Sequence, residues 1–356
     1  MEFLTEYGLF LAKIATFVVA AIVLVSTVIS LAHKQTDEHG DDGELKIRKL
    51  NEQYRKLRES IEKHLMSPLE RKVWQKRKKK EEKAEKKAAK KETAKPGKEE
   101  GTEKKSHIYV VDFDGDIKAS DTDNLRRSIS AVLSVANPES DEVVVRLESG
   151  GGLVHAYGLA AAQLDRIRSK GIPLTVCVDK VAASGGYMMA CVADRIIASP
   201  FAVLGSIGVV AQLPNFHRVL KKNDIDFEVL TAGEHKRTMT IFGENTEGGR
   251  KKFLEDLEDT HTLFKDYVSE RRPALDIKAV SNGDIWFGKR ALEVNLIDEI
   301  KTSDEYLIDA CDRGEVVSVS YQRKRSLPEK LGLATSAAVE HSVWKVLSAF
   351  RNQKMQ

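Results

Sequence analysis

Short apolar segments alternate with longer amphipathic ones between residues 106 and 272, and this alternation restricts the possible folds more than any other feature of the sequence. The segments HIYVVDFDGDI, DEVVVRLES and PLTVCVDKV predict buried strands, and ADRIIAS, VLGSIGVVAQ and DFEVLTA continue the pattern. Helices are predicted at 125–136, 153–171 and 247–272. Such alternation is typical of an α/β fold in which a mainly parallel sheet is covered on both faces.

Glycine and serine cluster directly after three of the predicted strands, at 149–152, 182–186 and 205–208. Because ligands bind beyond the carboxyl ends of the strands in open α/β sheets, we expect these three loops to lie close together. The first loop has neither the GxGxxG pattern of dinucleotide sites nor the GK[ST] ending of phosphate loops, so nucleotide binding has no support. Its triple glycine suits an oxyanion hole made of backbone N–H groups, although a tight turn that needs only small residues is an alternative explanation.

Ser184 lies at the predicted strand-to-helix turn of the second loop, between Ala183 and Gly185. This position exposes a hydroxyl and allows the Gly185 N–H to bind a developing oxyanion. The arrangement is similar to the nucleophile elbow of GxSxG hydrolases, but Ala182 occupies the first glycine position. Ser184 is therefore a candidate nucleophile.

A serine nucleophile needs a base, and histidine is the usual choice. No histidine lies between Ser184 and Phe216, and His217 falls in a predicted amphipathic helix. His155 and His235 remain available as alternatives.

Lysine is the other possible base, and Lys236 follows the segment FEVLTAG, which has the pattern of a buried strand. For a lysine to accept a proton near pH 7, its pKa must fall from about 10.4 to roughly 7 or 8. Burial lowers a lysine pKa, and a neutral hydroxyl such as that of Ser206 can hydrogen-bond the free amine. Composition alone does not select this lysine from the many others.

Residues 8–32 form an apolar stretch in which Lys13 is the only charged residue, preceded by a short segment at 1–7. At about 1.5 Å per residue the stretch exceeds the roughly 30 Å hydrocarbon core, and it is longer than the apolar part of a cleaved signal peptide. We predict a transmembrane anchor. Basic residues follow the stretch and none precedes Lys13, so the positive-inside rule taken literally leaves the rest of the chain in the cytoplasm.

Residues 33–105 are predicted to form a charged stalk and linker. Before Pro68, apolar residues recur at helical spacing, which fits a solvated amphipathic helix or a short self-association stalk; they are Leu50, Tyr54, Leu57, Ile61 and Leu65. Between 71 and 100, 14 Lys and Arg residues oppose 6 Glu, a local charge of +8 that leaves −5 for the rest of the chain. This low-complexity segment is typical of a solvated linker, with contact to anionic lipid headgroups as the alternative.

Several classes of site and partner are excluded or unsupported. A chain whose basic charge is confined to one segment is a poor nucleic-acid binder. Its three cysteines have no CxxC spacing and predict buried free thiols, and its nine histidines include no HExxH motif. We therefore expect no metal and no cofactor.

The run VCVDKVAASGGYMMACVADRIIASPFAVLGSIGV, with Lys236 following Ser184 by 52 residues, resembles the signal peptide peptidase A family of membrane-anchored bacterial serine-lysine peptidases. The resemblance covers the anchor and about residues 106–325, and the layout resembles that family's single-domain, N-terminally anchored branch. It implies a Clp-protease/crotonase-like fold for 106–325. The remaining residues, 326–356, read as a tail with an apolar helical patch.

The resemblance also implies roles for five residues: Ser184 as nucleophile, Lys236 as general base, Ser206 as the group that orients the lysine amine, and the backbone N–H groups of Gly151 and Gly185 as the oxyanion hole. One position departs from the family pattern. The first loop of the family usually reads Ser-Pro-Gly-Gly, and here Gly150 stands in the proline position.

The family's peptidase domains are generally extracytoplasmic, and long segments translocate largely regardless of charge, so the outer side is favoured over the literal positive-inside orientation. We therefore predict an inner-membrane endopeptidase whose domain lies on the outer, periplasmic side and forms a ring or dome of identical subunits. Its expected substrates are peptides, such as remnant signal peptides, and misfolded or exported proteins. Two alternatives remain. A crotonase-type acyl-CoA enzyme would need carboxylates near the site, for which Glu148 and Glu234 are candidates, and a non-catalytic membrane scaffold would use only the anchor and the oligomeric body.

Overall fold

The computed structural model describes residues 43–93 and 106–323, together with Lys13 and Thr16. The strands over these residues are β1 Gly43–Lys49, β2 His107–Gly115, β3 Glu142–Ser149, β4 Leu174–Val178, β5 Val181–Ala183, β6 Arg195–Ala198, β7 Val203–Gly205, β8 Ile285–Phe287, β9 Glu299–Ile300 and β10 Glu315–Arg323. The helices are α1 Leu50–Leu65, α2 Pro68–Thr93, α3 Thr122–Leu133, α4 Val154–Ser169, α5 Gly185–Ala190, α6 His217–Lys222, α7 Glu247–Arg271, α8 Ile277–Val280, α9 Gly288–Glu293 and α10 Ser303–Arg313.

All ten strands belong to one sheet, whose main path follows the order β1-β10-β2-β3-β4-β6-β9. A branch leaves this path at β3, which also pairs with β5; β7 lies beside β5, and β8 lies beside β7. The pairs β10–β2, β2–β3, β3–β4, β3–β5, β4–β6, β5–β7 and β6–β9 are parallel, whereas β8 is antiparallel to β7. The structure confirms the predicted α/β fold with a mainly parallel sheet.

Each face of the sheet packs against its own apolar layer. On one face, Val143 and Val145 of β3 join side chains of α3, α4, α5 and α7. On the other face, Val144 joins side chains of α10 and Leu50. These three valines are fully buried, and burial of one such side chain contributes about 1.5–3 kcal/mol. A strand that is apolar at consecutive positions is stable here because both of its faces are covered.

The first described segment of the chain packs against this body. Leu50, at the start of α1, is buried, and Tyr54 packs against the same apolar layer. Asn51 Nδ2 donates to Gly314 O at 3.0 Å, and the Val316 N–H donates to Asn51 Oδ1 at 2.7 Å. Part of the segment predicted as a stalk thus contributes an edge strand and the base of a helix to the folded body.

Beyond this contact, α1 and α2 continue as two charged helices. Leu57 and Leu65, on the predicted apolar face of α1, are exposed. Lys78 of α2 forms an ion pair with Glu59 of α1. Pro68 begins α2, where its missing N–H costs nothing because the first N–H groups of a helix have no intrahelical acceptor. The basic segment predicted as a linker is therefore helical as far as Thr93.

Within residues 43–93 and 106–323, no helix combines the length and the apolar character that a bilayer span requires. Apart from Lys13 and Thr16, the anchor predicted at 8–32 lies outside the described residues, and so does the tail predicted at 326–356.

The segment 226–232 differs from its prediction as a buried strand. It forms neither strand nor helix, and its apolar side chains are exposed, with Leu230 at 90% and Phe227 at 47%. The reason lies in the sheet, because the outer side of β7 is already occupied by β8. Residues 226–232 therefore do not pair with β7.

Candidate active site

The strand register brings the three glycine- and serine-rich loops to one edge of the sheet. Gly115 is opposite Ser149, and Ser149 is opposite Ala182. Ala183 is in turn opposite Gly205. The carboxyl ends of β2, β3, β5 and β7 consequently lie side by side, which is the position where α/β sheets bind ligands.

Ser184 occupies the turn between β5 and α5 in a strained backbone conformation, with φ of 52° and ψ of −118°. A residue with a side chain adopts such a positive φ at a cost of about 1–3 kcal/mol, so the surrounding structure must enforce it. The Ser184 N–H donates to Gly205 O at 2.8 Å, and the Met188 N–H donates to Ser184 O at 2.9 Å. These bonds tie the serine to the third loop on one side and to α5 on the other.

Gly151 and Gly185 lie directly against Ser184. Gly151 has φ of +86°, and a Cβ atom at this position would stand 2.6 Å from Gly185 N and 2.8 Å from Ser184 Cβ. The Gly185 N–H is the first of α5 and has no intrahelical acceptor. The Gly151 N–H, by contrast, donates to Ser149 Oγ at 3.1 Å. Of the two N–H groups expected to form an oxyanion hole, one is therefore engaged by a neighbouring hydroxyl.

Ser206 lies next to Gly205 at the end of β7 and is half-buried. It also has a positive φ, of 50°. Its N–H donates to Asp284 O at 2.7 Å, which attaches the third loop to the segment that leads into β8. The structure therefore brings Ser184, Ser206, Gly151 and Gly185 into one cluster of loops.

Lys236 is exposed, and among the described residues its Nζ makes no hydrogen bond to Ser184 or Ser206. It lies in a segment without strand or helix, where its backbone N–H donates to Gly233 O at 3.1 Å. The single chain thus does not hold the candidate base in contact with the candidate nucleophile.

The alternative candidates occupy less suitable positions. His155 and His235 are exposed, and His217 is half-buried in α6. Glu148 accepts two hydrogen bonds from Lys180 Nζ, at 3.0 and 2.9 Å. Glu234, the other carboxylate that an acyl-CoA enzyme would use, is exposed.

Two buried hydroxyl groups beneath the loops were missed by the sequence analysis. Ser149 ends β3, and Tyr157 lies in the first turn of α4, immediately after the triple glycine. Their oxygens are 2.5 Å apart, and the Tyr157 hydroxyl donates to Asp116 O at 2.6 Å. Burial raises the pKa of Tyr157, so the phenol keeps its proton and acts as a donor. The sequence does place one hydroxyl residue before the triple glycine and another shortly after it, and this spacing could have indicated the pair.

Comparison with known families identifies the class of protein. The profile described as Peptidase family S49 N-terminal matches residues 2–164, and the profile described as Peptidase family S49 matches residues 166–316. The chain belongs to the S49 family of peptidases.

Relatives of nearly full length refine this assignment. "Probable protease SohB" of Haemophilus influenzae is 51% identical over 331 residues, which cover 93% of this chain and 92% of the relative. "Probable protease SohB" of Buchnera aphidicola subsp. Schizaphis graminum is 45% identical and covers 100% of both chains. The chain is a SohB-type member of its family, which confirms the predicted resemblance.

A solved structure of the 1510-N membrane-bound stomatin-specific protease with a substrate peptide is also similar to part of the chain. It is 15% identical with a TM-score of 0.39, and the match covers 64% of this chain and 96% of that structure.

Proposed function

We propose that this chain is a serine endopeptidase with a Clp-protease/crotonase-like fold, in which Ser184 is the nucleophile and Lys236 the general base. The observation that carries the proposal is the strained turn of Ser184, which is packed between the backbones of Gly151 and Gly185. A positive φ at a serine between a parallel strand and a helix is the geometry that exposes a nucleophile at the top of an α/β sheet. Family membership supports peptide substrates.

The reaction would proceed by acyl transfer. Neutral Lys236 takes the proton of the Ser184 hydroxyl while Ser184 Oγ attacks the scissile carbonyl. The Gly185 N–H donates to the resulting oxyanion, and the lysine ammonium then gives its proton to the leaving amine. In the second half of the cycle neutral Lys236 takes a proton from a water molecule as its oxygen attacks the acyl carbon, and the lysine ammonium returns that proton to Ser184 Oγ as the bond between Ser184 and the acyl group breaks. For Gly151 to act as the second donor, its N–H must exchange Ser149 Oγ for the oxyanion.

The lysine step requires a change in the surroundings of Lys236. Lys236 is exposed, and removal from water is what lowers a lysine pKa towards 7 or 8. The segment that carries Lys236 also exposes Phe227, Val229 and Leu230. Contact of these side chains with another copy of the chain would bury the segment, which supports the predicted homo-oligomer. Ser206 would then orient the amine.

Membrane attachment is the second part of the proposal. It rests on the apolar stretch 8–32, which we propose as a single inner-membrane anchor with the peptidase domain on the periplasmic side. Remnant signal peptides and misfolded or exported proteins are the substrates that this location would supply. A topology reporter fused near Lys98 tests the orientation, and a cytoplasmic signal from that fusion would contradict it.

Parallel substitutions test the dyad. Ser184→Ala and Lys236→Ala should each reduce hydrolysis of a casein-like substrate by about 10³-fold or more, and the double variant should be no worse, because the two residues act as one unit. Ser206→Ala should cause a smaller loss. His235→Ala is the matched control, since it removes the neighbouring titratable side chain, and it should retain full activity.

Labelling and pH dependence distinguish the proposal from its rivals. A fluorophosphonate probe should label Ser184, and the labelling rate should rise from neutral into alkaline pH because only the neutral amine is a base. An acid optimum would contradict a lysine base. Hydrolysis of an acyl-CoA without proteolysis would favour the crotonase-type enzyme, and absence of both activities and of labelling would favour the scaffold.

A further inference from the structure

The buried hydroxyls of Ser149 and Tyr157 form a directed hydrogen-bond chain that ends at the first glycine loop. The Tyr157 hydroxyl donates its single proton to Asp116 O at 2.6 Å. The Ser149 hydroxyl then has Tyr157 Oη at 2.5 Å and Gly115 O at 3.2 Å as acceptors. Ser149 Oγ in turn accepts the Gly151 N–H at 3.1 Å. Each hydroxyl thus has one donor and one acceptor role, and the chain sets the direction of the Gly151 N–H.

The same two side chains also contact the second loop. A Cβ atom on Gly185 would stand 2.4 Å from Cγ of the Tyr157 ring. A Cβ atom on Gly186 would stand 2.4 Å from Ser149 O. Because only hydrogen occupies these positions, the turn that carries the candidate nucleophile rests directly on the tyrosine ring and on the end of β3.

The tyrosine itself is held firmly in place. Tyr157 is fully buried, and its ring makes an edge contact with Phe113 at a centroid distance of 6.4 Å and an interplanar angle of 80°. A ring packed on one side against β2 and on the other against Gly185 leaves its hydroxyl little freedom to move.

We propose that Tyr157, acting through Ser149, is a positioning residue that holds the Gly150–Gly152 loop against the Ser184 turn. The Gly185 N–H is thereby placed for oxyanion binding, and the Gly151 N–H lies where it can exchange Ser149 Oγ for the oxyanion when substrate binds. This inference rests on the proposed function, because it assigns Tyr157 a part in the same reaction. Tyr157 touches neither the substrate nor the reacting atoms, so its effect on the rate comes from the placement of backbone N–H groups. A displacement of such donors by about 1 Å typically costs about a hundredfold in rate.

Removal of the hydroxyl alone tests the proposal. Tyr157→Phe keeps the aromatic ring under Gly185 and removes the hydroxyl that links Ser149 Oγ to Asp116 O in the hydrogen-bond chain. We expect kcat to fall about tenfold to a hundredfold with KM within about twofold of wild type, because the loss concerns the transition state. The Ki of a peptide aldehyde, whose adduct with serine is tetrahedral, should rise by the same factor as kcat falls.

Two further variants separate positioning from simple loss of stability. Tyr187→Phe is the matched control, since Tyr187 is also fully buried and its hydroxyl donates to a backbone carbonyl, Leu296 O, at 2.8 Å. It should lose comparable stability in chemical denaturation and keep its kcat. Ser149→Ala should lower kcat by the same factor as Tyr157→Phe. The double variant should have the kcat of Ser149→Ala, because both residues act through the same hydrogen-bond chain. Ser149→Ala also serves as the test if Tyr157→Phe does not fold.

The outcomes are distinct from those that concern the dyad. Wild-type kcat in a folded Tyr157→Phe or Ser149→Ala protein would overturn the positioning role and leave the proposed function intact, as would an equal loss of kcat in Tyr187→Phe. Absence of fluorophosphonate labelling in the wild-type protein would overturn the proposed function, and this role with it.

Discussion

Three consecutive glycines in the first loop should respond very differently to the same substitution. Around Gly150 there is open space, with nothing within 4 Å of an added Cβ. An added Cβ on Gly152 would stand 2.1 Å from Ile117 O, and one on Gly151 would stand 2.6 Å from Gly185 N. Gly151 alone among the three has a positive φ, of +86°. The same glycine-to-alanine substitution therefore meets a different environment at each of the three positions.

The expected free energies of unfolding follow from these contacts. Gly151→Ala forces a side chain into a left-handed conformation, at about 1–2 kcal/mol, and presses it against backbone that cannot rotate away, at about 1–3 kcal/mol. We expect a total destabilisation of about 2–5 kcal/mol. Gly150→Ala should be neutral or stabilising by up to about 1 kcal/mol, because it restricts only the unfolded chain. Gly152→Ala should resemble Gly151→Ala in its steric part.

The activities of the glycine variants should follow the same order as their stabilities, and two measurements test this. Separation of Gly151 from Gly185 displaces the N–H group that we propose as the oxyanion donor, and loss of one such donor typically costs about 10² to 10³ in rate. Urea denaturation gives the free energies, and fluorophosphonate labelling of Ser184 gives the relative rates at a temperature where all variants are folded. If Gly151→Ala matched Gly150→Ala in both measurements, the described packing of the loops would be refuted.

Three further predictions concern the body of the protein. The largely buried Arg272 guanidinium donates to both carboxylate oxygens of Asp298, at 2.9 and 2.8 Å. Asp298→Ala removes this carboxylate and should lower the free energy of unfolding in urea by about 2–4 kcal/mol; an unchanged midpoint would contradict this. Burial alone would raise the pKa of Asp141, but hydrogen bonds from backbone N–H groups and a serine hydroxyl lower this pKa below its ordinary value of 3.8. The ionised Asp141 carboxylate therefore stabilises the fold above pH 3.8, and this stabilisation is lost as the pH falls through the folded-state pKa. Asp141→Asn should therefore reduce the loss of unfolding free energy that the protein shows as the pH falls below about 3.8, and an unaltered loss would contradict this assignment. Burial raises the pKa of Cys177 and Cys191 to about 12, so Ellman's reagent at pH 8 should modify neither thiol until the protein is unfolded.

The sheet and its loops were predictable because their signals are local. Strands such as β3 are apolar at consecutive positions, and β2, β3 and β7 end at a glycine or serine. Both the parallel sheet and the candidate loops therefore follow from short stretches of sequence. The carboxyl-end rule then places the loops together without knowledge of the packing. The strained turn of Ser184 was foreseen as a turn, although its φ of 52° was not.

Other features depend on contacts between distant parts of the chain. Residues 226–232 have the composition of a buried strand, but whether they pair depends on the edge of β7, which β8 occupies from much later in the sequence. Asn51 binds the turn before β10 as a single polar residue, which has no periodic signal. The hydroxyl pair of Ser149 and Tyr157 likewise becomes visible only when β3 and α4 are packed. These are the points at which tertiary structure overrides local pattern.

The attachment of the third loop to Asp284 has a consequence for the biogenesis of the protein. Ser206 is held by a carbonyl that is synthesised long after the serine itself, and β7 is completed only by β8. A nascent chain released from the ribosome as far as Arg271 contains Ser184, the proposed nucleophile, but lacks Asp284 and β8. Truncated products and stalled translation intermediates should consequently be inert, so a cell that makes this protein is protected from hydrolytic activity until synthesis of the domain is nearly finished.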